Sequence, residues 1–135
     1  MTDEKAIEAA GRVREAFETI ERARGHLYSF HQLTGNADLK LDEAVTLLRE
    51  AGHEALAQQI ETDLIGRNVL FGRWTFQVVE EYDDDYYRAF ADWEAEVRKQ
   101  LTKGQRHCHE ARMKAARRTP GRPHHEANPG SERRR

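Results

Sequence analysis

Cysteine is almost missing from this chain: Cys108 stands alone among 135 residues. A lone thiol excludes an intramolecular disulfide and a zinc site built from several thiolates, and it fits a reducing compartment. The three prolines, Pro120, Pro123 and Pro129, crowd near the C-terminus, where nearby glycines help them end regular structure. No apolar run of about 18 residues exists to span a bilayer, and the opening MTDEKAIEAA is acidic and mixed, unlike a signal peptide. A cytoplasmic protein with no membrane partner is the expectation. GxGxxG, Walker A, GxSxG and HExxH signatures are all lacking, as is any repeat of solenoid length. Whole enzyme classes therefore lose their usual marks, and no cofactor is implied.

What is present is helix-forming and charged. Apolar residues make up 38% and charged residues 34% of the sequence, the profile of long helices with solvated faces. An all-α fold follows, with one helical domain over residues 1–118 and a disordered basic tail over 119–135. Charge is unevenly placed: Arg112 to Arg135 holds eight basic and two acidic residues, so an acidic body precedes a basic end. Such a tail can favour an anionic partner, but a solvated terminus is the plainer reading. The acidic body and the absence of interleaved aromatics argue against nucleic acid.

Residues 3–34 carry the clearest helical pattern, with Thr2 as N-cap and Asp3 and Glu4 in the first turn. Ala6, Val13, Ile20 and Leu27 repeat every seven residues, and Ala9, Ala16, Ala23 and Phe30 form a second row. The alanines invite close antiparallel packing, within the chain or across a dimer. Gly35 and Asn36 should end this helix, and Asp38 should cap a shorter helical region that continues past Gly52 to Gly66. Gly52 either kinks that region or divides it. From Asp83 or Asp84 a second long helix should run to about Arg117, with Tyr86, Phe90, Trp93, Val97, Leu101 and Cys108 on one stripe. Two long antiparallel helices then make an elongated bundle.

Between them the pattern changes. Trp74, Phe76 and Val78 alternate with Arg73, Thr75 and Gln77, the period of a half-buried extended segment, and Gly72 suits the turn of a small hairpin. An aromatic helix over 69–82 fits the same residues. Arg67, Asn68, Arg73 and Trp74, with Glu80, Glu81 and Tyr82, are the candidate ligand-binding residues, since a guanidinium matches carboxylate or phosphate and an indole offers a stacking face. Glu80, Glu81, Asp83, Asp84 and Asp85 form the densest acidic cluster. Capping of the following helix explains part of it.

Metal signals are thin. Glu50 and His53 have the Glu-x-x-His spacing of a shared ligand face on a helix, but only one such pair is present where a di-iron bundle needs two. They are weak candidates, and no metal is expected. His26 and His31 point about 140° apart on a straight helix and read as partly buried imidazoles. His107, Cys108 and His109 could converge on an ion only if the helix unwound there.

The run GRNVLFGRWTFQVVEEYDDDYY, Gly66 to Tyr87, resembles a segment shared by a family of small uncharacterised actinobacterial proteins. That resemblance implies no activity and no site residues. The leading expectation is a non-enzymatic helical protein that self-associates as a dimer or binds a protein partner. The alternative is a small-molecule or metal-binding enzyme with its pocket around Arg67, Arg73, Trp74 and Glu80.

Overall fold

The computed structural model describes residues 4–104 and 107–130. Thr2 and Asp3, residues 131–135 and the side chain of His109 lie outside the described residues. The fold is all-α: α1 (Glu4–Glu50), α2 (Glu54–Asp63), α3 (Thr75–Tyr82), a π-helical turn (Asp83–Tyr87), α4 (Arg88–Thr102) and α5 (Cys108–Arg117). The chain divides into two compact units, Met1–Glu18 with Phe90–Arg135, and Thr19–Ala89. In the first, Phe17 stacks on Phe90 with ring centroids 6.1 Å apart, and Arg14 reaches the buried carboxylate of Glu94 at 3.5 Å. In the second, Glu21, Arg24 and His31 meet Tyr87, Asp83 and Thr75 respectively, the register of an antiparallel helix pair.

The expected break at Gly35 does not occur. Gly35, Asn36 and Asp38 all sit inside α1, which ends instead at Glu50, in a turn through Gly52. The difference is conformational: Gly52 adopts φ +89°, and the N–H groups of His53 and Gly52 return to the carbonyls of Leu48 and Arg49. That double return is the Schellman closure, which satisfies carbonyls the helix would otherwise orphan. Arg49 then braces the turn by pairing with Glu54 and Glu61. Gly35 keeps a helical backbone at a cost of about 1 kcal/mol relative to Ala. Neighbouring Thr34, Asp38 and Leu41 continue the inward seam.

One predicted heptad row is inward and the other is not. Ala6, Val13, Ile20 and Leu27 are half-buried, continued by Thr34, Leu41 and Leu48. Ala9, Ala16, Ala23 and Phe30 are exposed; the true second row is Ala10, Phe17, Arg24, His31, Asp38 and Val45. Three polar residues in the middle of that row hide it from a hydrophobic pattern. Each has a specific partner across the second unit.

The second long helix also differs from expectation. It begins at Thr75, so residues 75–82 are helical, and the aspartates lie within a π turn rather than at a helix start. Tyr86 and Trp93 fall outside the inward stripe, which is carried by Tyr87, Phe90, Glu94, Val97 and Leu101. The run to Arg117 is interrupted after Thr102, with Lys103, Gly104 and His107 all at positive φ.

Candidate functional site

Residues 66–74 are the one irregular stretch between α2 and α3, and their backbone is tied at several points. Gly66 donates its N–H to the Asp38 carboxylate at 3.0 Å, which fastens the loop to α1. The Trp74 indole donates to the Gly66 carbonyl at 3.1 Å, joining the two ends of the loop. Between them Leu70 and Arg73 form an isolated bridge around Phe71 and Gly72, with the Arg73 N–H donating to Leu70 O at 2.9 Å. Gly72 has φ +69°, a conformation this turn position requires and a side chain would oppose. The hairpin expected here is thus reduced to its turn.

Arg73 is the clamp. Its guanidinium forms a two-pronged pair with Glu81 on α3, and its Nη1 donates to the Phe71 carbonyl at 2.9 Å. The pair holds the Glu81 carboxyl below the ordinary carboxylate range, chiefly by the hydrogen bond from Arg73. With its carbonyl held, Phe71 projects its ring outward, 95% exposed.

Beside this turn lies an open groove of about 680 Å³. Its walls are α1, through Gly35 and Leu41, the end of α2, through Leu64, and the loop, through Arg67, Val69 and Trp74. Asn68 and Thr75 also line it. Gly35 widens the groove simply by lacking a side chain, and a Cβ built there meets nothing within 4 Å. Leu39 is 69% exposed at the rim and Trp74 49%. Arg67 pairs with Asp63 at 3.2 Å, so its charge is partly balanced on the rim.

Of the residues singled out in the sequence, Arg67, Asn68 and Trp74 therefore share the groove. Arg73 and Glu81 neutralise each other on its flank. Glu80 is exposed and outside the lining, and Tyr82 packs toward Tyr86 and Tyr87 at 6.0 and 6.4 Å. Burial first, then the neighbouring Tyr86 and Asp83 charges, pushes the Tyr82 hydroxyl above its ordinary pKa. Glu50 and His53 do not share a helix face, because α1 ends at Glu50 and His53 precedes α2 beyond the Gly52 turn. His26 is exposed, whereas His31 Nδ1 lies 2.6 Å from the buried Thr75 hydroxyl.

Two features escaped sequence reading. Phe71 carries the most exposed large ring, and its only signal was an apolar residue placed before a turn glycine. The other is the cluster around Arg24, whose guanidinium donates to both oxygens of Asp83 at 2.7 and 3.0 Å. The same group lies between the rings of Tyr28 and Tyr87, 4.8 and 4.6 Å from their centroids. Tyr28 donates to Asp83 at 3.1 Å, and Tyr87 donates to Glu21 at 2.6 Å. Arg24 holds the Asp83 carboxyl below its ordinary pKa, with Tyr28 assisting against the effect of burial. These groups satisfy one another across the π turn, which suits them to fixing register. Comparison with family models, curated proteins and solved structures found no match.

Proposed function

We propose that this is a non-enzymatic protein that pairs with a second copy of itself, the Phe71 turn of each copy entering the groove of the other. The observation carrying this reading is a 95% exposed phenylalanine, its carbonyl held by Arg73, beside an open apolar groove on the same unit. A lone exposed apolar residue is ordinary, but contiguous ones mark contact surfaces. Here Leu39, Leu64, Val69, Leu70, Phe71, Trp74 and Phe76 are all exposed on or around one loop. A projecting ring and a receiving groove on one chain permit a closed two-fold exchange, the usual symmetry of homodimers. Burying one Phe side chain is worth about 1.5–3 kcal/mol, and two-fold symmetry does so twice. A helical dimer of this kind with a lone free thiol suits the reducing cytoplasm.

Sedimentation over a concentration series tests the reading. The wild-type chain should pass from monomer to dimer mass, and Phe71→Asp should weaken association at least ~10-fold while retaining helicity. A wild-type chain that stays monomeric at high micromolar concentration would overturn it. So would equal association by the variant.

A second reading rests on the groove's size, which lies within the range of small-molecule sites, and on Arg67 at its rim. An apolar ligand with an anionic end would fit there. It would change Trp74 fluorescence without changing the mass, which separates the two readings.

A further inference from the structure

The first unit holds a separate cluster of ligating side chains that no part of the proposed pairing uses. Glu18 on α1, His107 immediately before α5 and Glu110 in the first turn of α5 each offer a ligand atom, all within 4.8 Å of one another. His107 Nδ1 lies 3.8 Å from Glu110 Oε1, too far for a hydrogen bond. Two donors bound to one zinc at about 2.0–2.2 Å in tetrahedral geometry sit roughly 3.4 Å apart. The His107–Glu110 spacing is thus nearer to that of two ligands around an ion than to that of hydrogen-bonded partners.

We infer that Glu18, His107 and Glu110 form a divalent transition-metal site, with one imidazole nitrogen and two carboxylates as ligands and solvent completing the coordination. The chemistry of the set argues for the class of ion. An imidazole with two carboxylates suits zinc and its first-row neighbours, whereas calcium and magnesium favour oxygen ligands throughout. The electrostatics agree: two carboxylates leave a negative site, offset among the described residues by Arg14, whose Nε lies 3.3 Å from Glu18. A divalent ion supplies the missing charge. Glu18 and His107 are exposed and Glu110 is half-buried, so entry is open and no rearrangement of the core is needed. Cys108, next along the chain, supplies no atom to the set. Sequence reading looked for a metal at this run because of His107-Cys108-His109, and at Glu50 with His53. The structure instead joins His107 to two glutamates, one of them nearly ninety residues away.

The ion would tie the start of α5 to α1, so its effect is structural and can be read without any activity. The test uses the tag-free full-length chain titrated with Zn²⁺ by calorimetry and with Co²⁺ by visible absorption. One ion per chain is expected, together with the d–d bands of low-coordinate Co²⁺ and a raised thermal midpoint when zinc is present. Glu18→Gln and His107→Gln should each weaken binding by at least ~10-fold, the scale seen even for outer-shell changes, with helicity unchanged. The double variant His124→Gln/His125→Gln removes the chain's other paired histidines and should bind as the wild type does. Retained affinity in Glu18→Gln and His107→Gln, or loss confined to the His124/His125 variant, would overturn the site. Absence of binding by the wild type at ~100 µM zinc would do the same.

Discussion

Asp83 shows how one residue can be reassigned by its partner. In the sequence it belongs to an acidic run before a helix; in the fold it takes two hydrogen bonds from Arg24 and one from Tyr28. Asp84 and Asp85 beside it are exposed, as is Glu80, so of the five carboxylates in the cluster Asp83 and Glu81 are the two held by arginines. Because the folded pKa of Asp83 is lowered, its stabilisation is fully present above the ordinary carboxylate value near ~4 and is lost as pH falls through the lower folded value. Urea midpoints measured from pH 5 down to pH 2 should therefore fall with acid. In Asp83→Asn the neutral-pH stability should drop by about 1.5–3 kcal/mol, the usual worth of a charge-assisted hydrogen bond, and the acid slope should flatten. Equal slopes in both proteins would show that the Arg24 pair contributes nothing to the acid limb.

Two glycines in one helical stretch show what decides where an element ends. Gly35 and Gly52 both have open space where a Cβ would stand, so substitution at either is decided by backbone conformation alone. Gly35 is helical, and Gly35→Ala should raise stability by about 1 kcal/mol. Gly52 is left-handed, and Gly52→Ala should lower stability by about 1–2 kcal/mol. Calorimetric unfolding midpoints that move in opposite directions would confirm the pair; a destabilised Gly35→Ala would mean that α1 is bent or broken there after all. The all-α class, the helical character of 4–34 and the inward row through Val13, Ile20 and Leu27 were legible in the sequence because they follow from apolar spacing. The break at Gly35 was misplaced because a glycine marks only the freedom to stop, while stopping requires a closure such as that at His53 and Gly52. The second row was shifted by one because Arg24, His31 and Asp38 are polar on a seam where a pattern expects leucine. Seven-residue spacing in phase with Phe17 and Val45 was the available signal. The alternation in Trp74 to Val78 suggested a strand, but the Gln77 side chain accepts the Trp74 N–H at 2.8 Å and opens α3 instead. A stretch of five residues is too short for period alone to separate strand from helix.

For the molecule as a whole, the nature of the contact proposed for the Phe71 groove sets how it should respond to solvent. The sequence located the unusual segment but assigned its weight to Arg67, Arg73 and Glu80. In the fold, Arg73 is spent on Glu81 and Arg67 on Asp63, which leaves apolar side chains to meet a partner. Association through such a surface is governed by removal of apolar area from water, and few charges need be screened. The dimer dissociation constant should therefore change less than ~3-fold between 50 and 500 mM NaCl, and sodium sulfate should tighten it, since excluded salts strengthen apolar burial. Truncation after Arg118 should leave it unchanged, because no described residue of the tail lines the groove. Contact through the tail to an anionic surface would behave oppositely, weakening steeply as salt rises. Sedimentation of the full chain and the truncated chain at both salt concentrations distinguishes them: a large loss of dimer at 500 mM NaCl, or on truncation, would transfer the contact from the Phe71 groove to the tail.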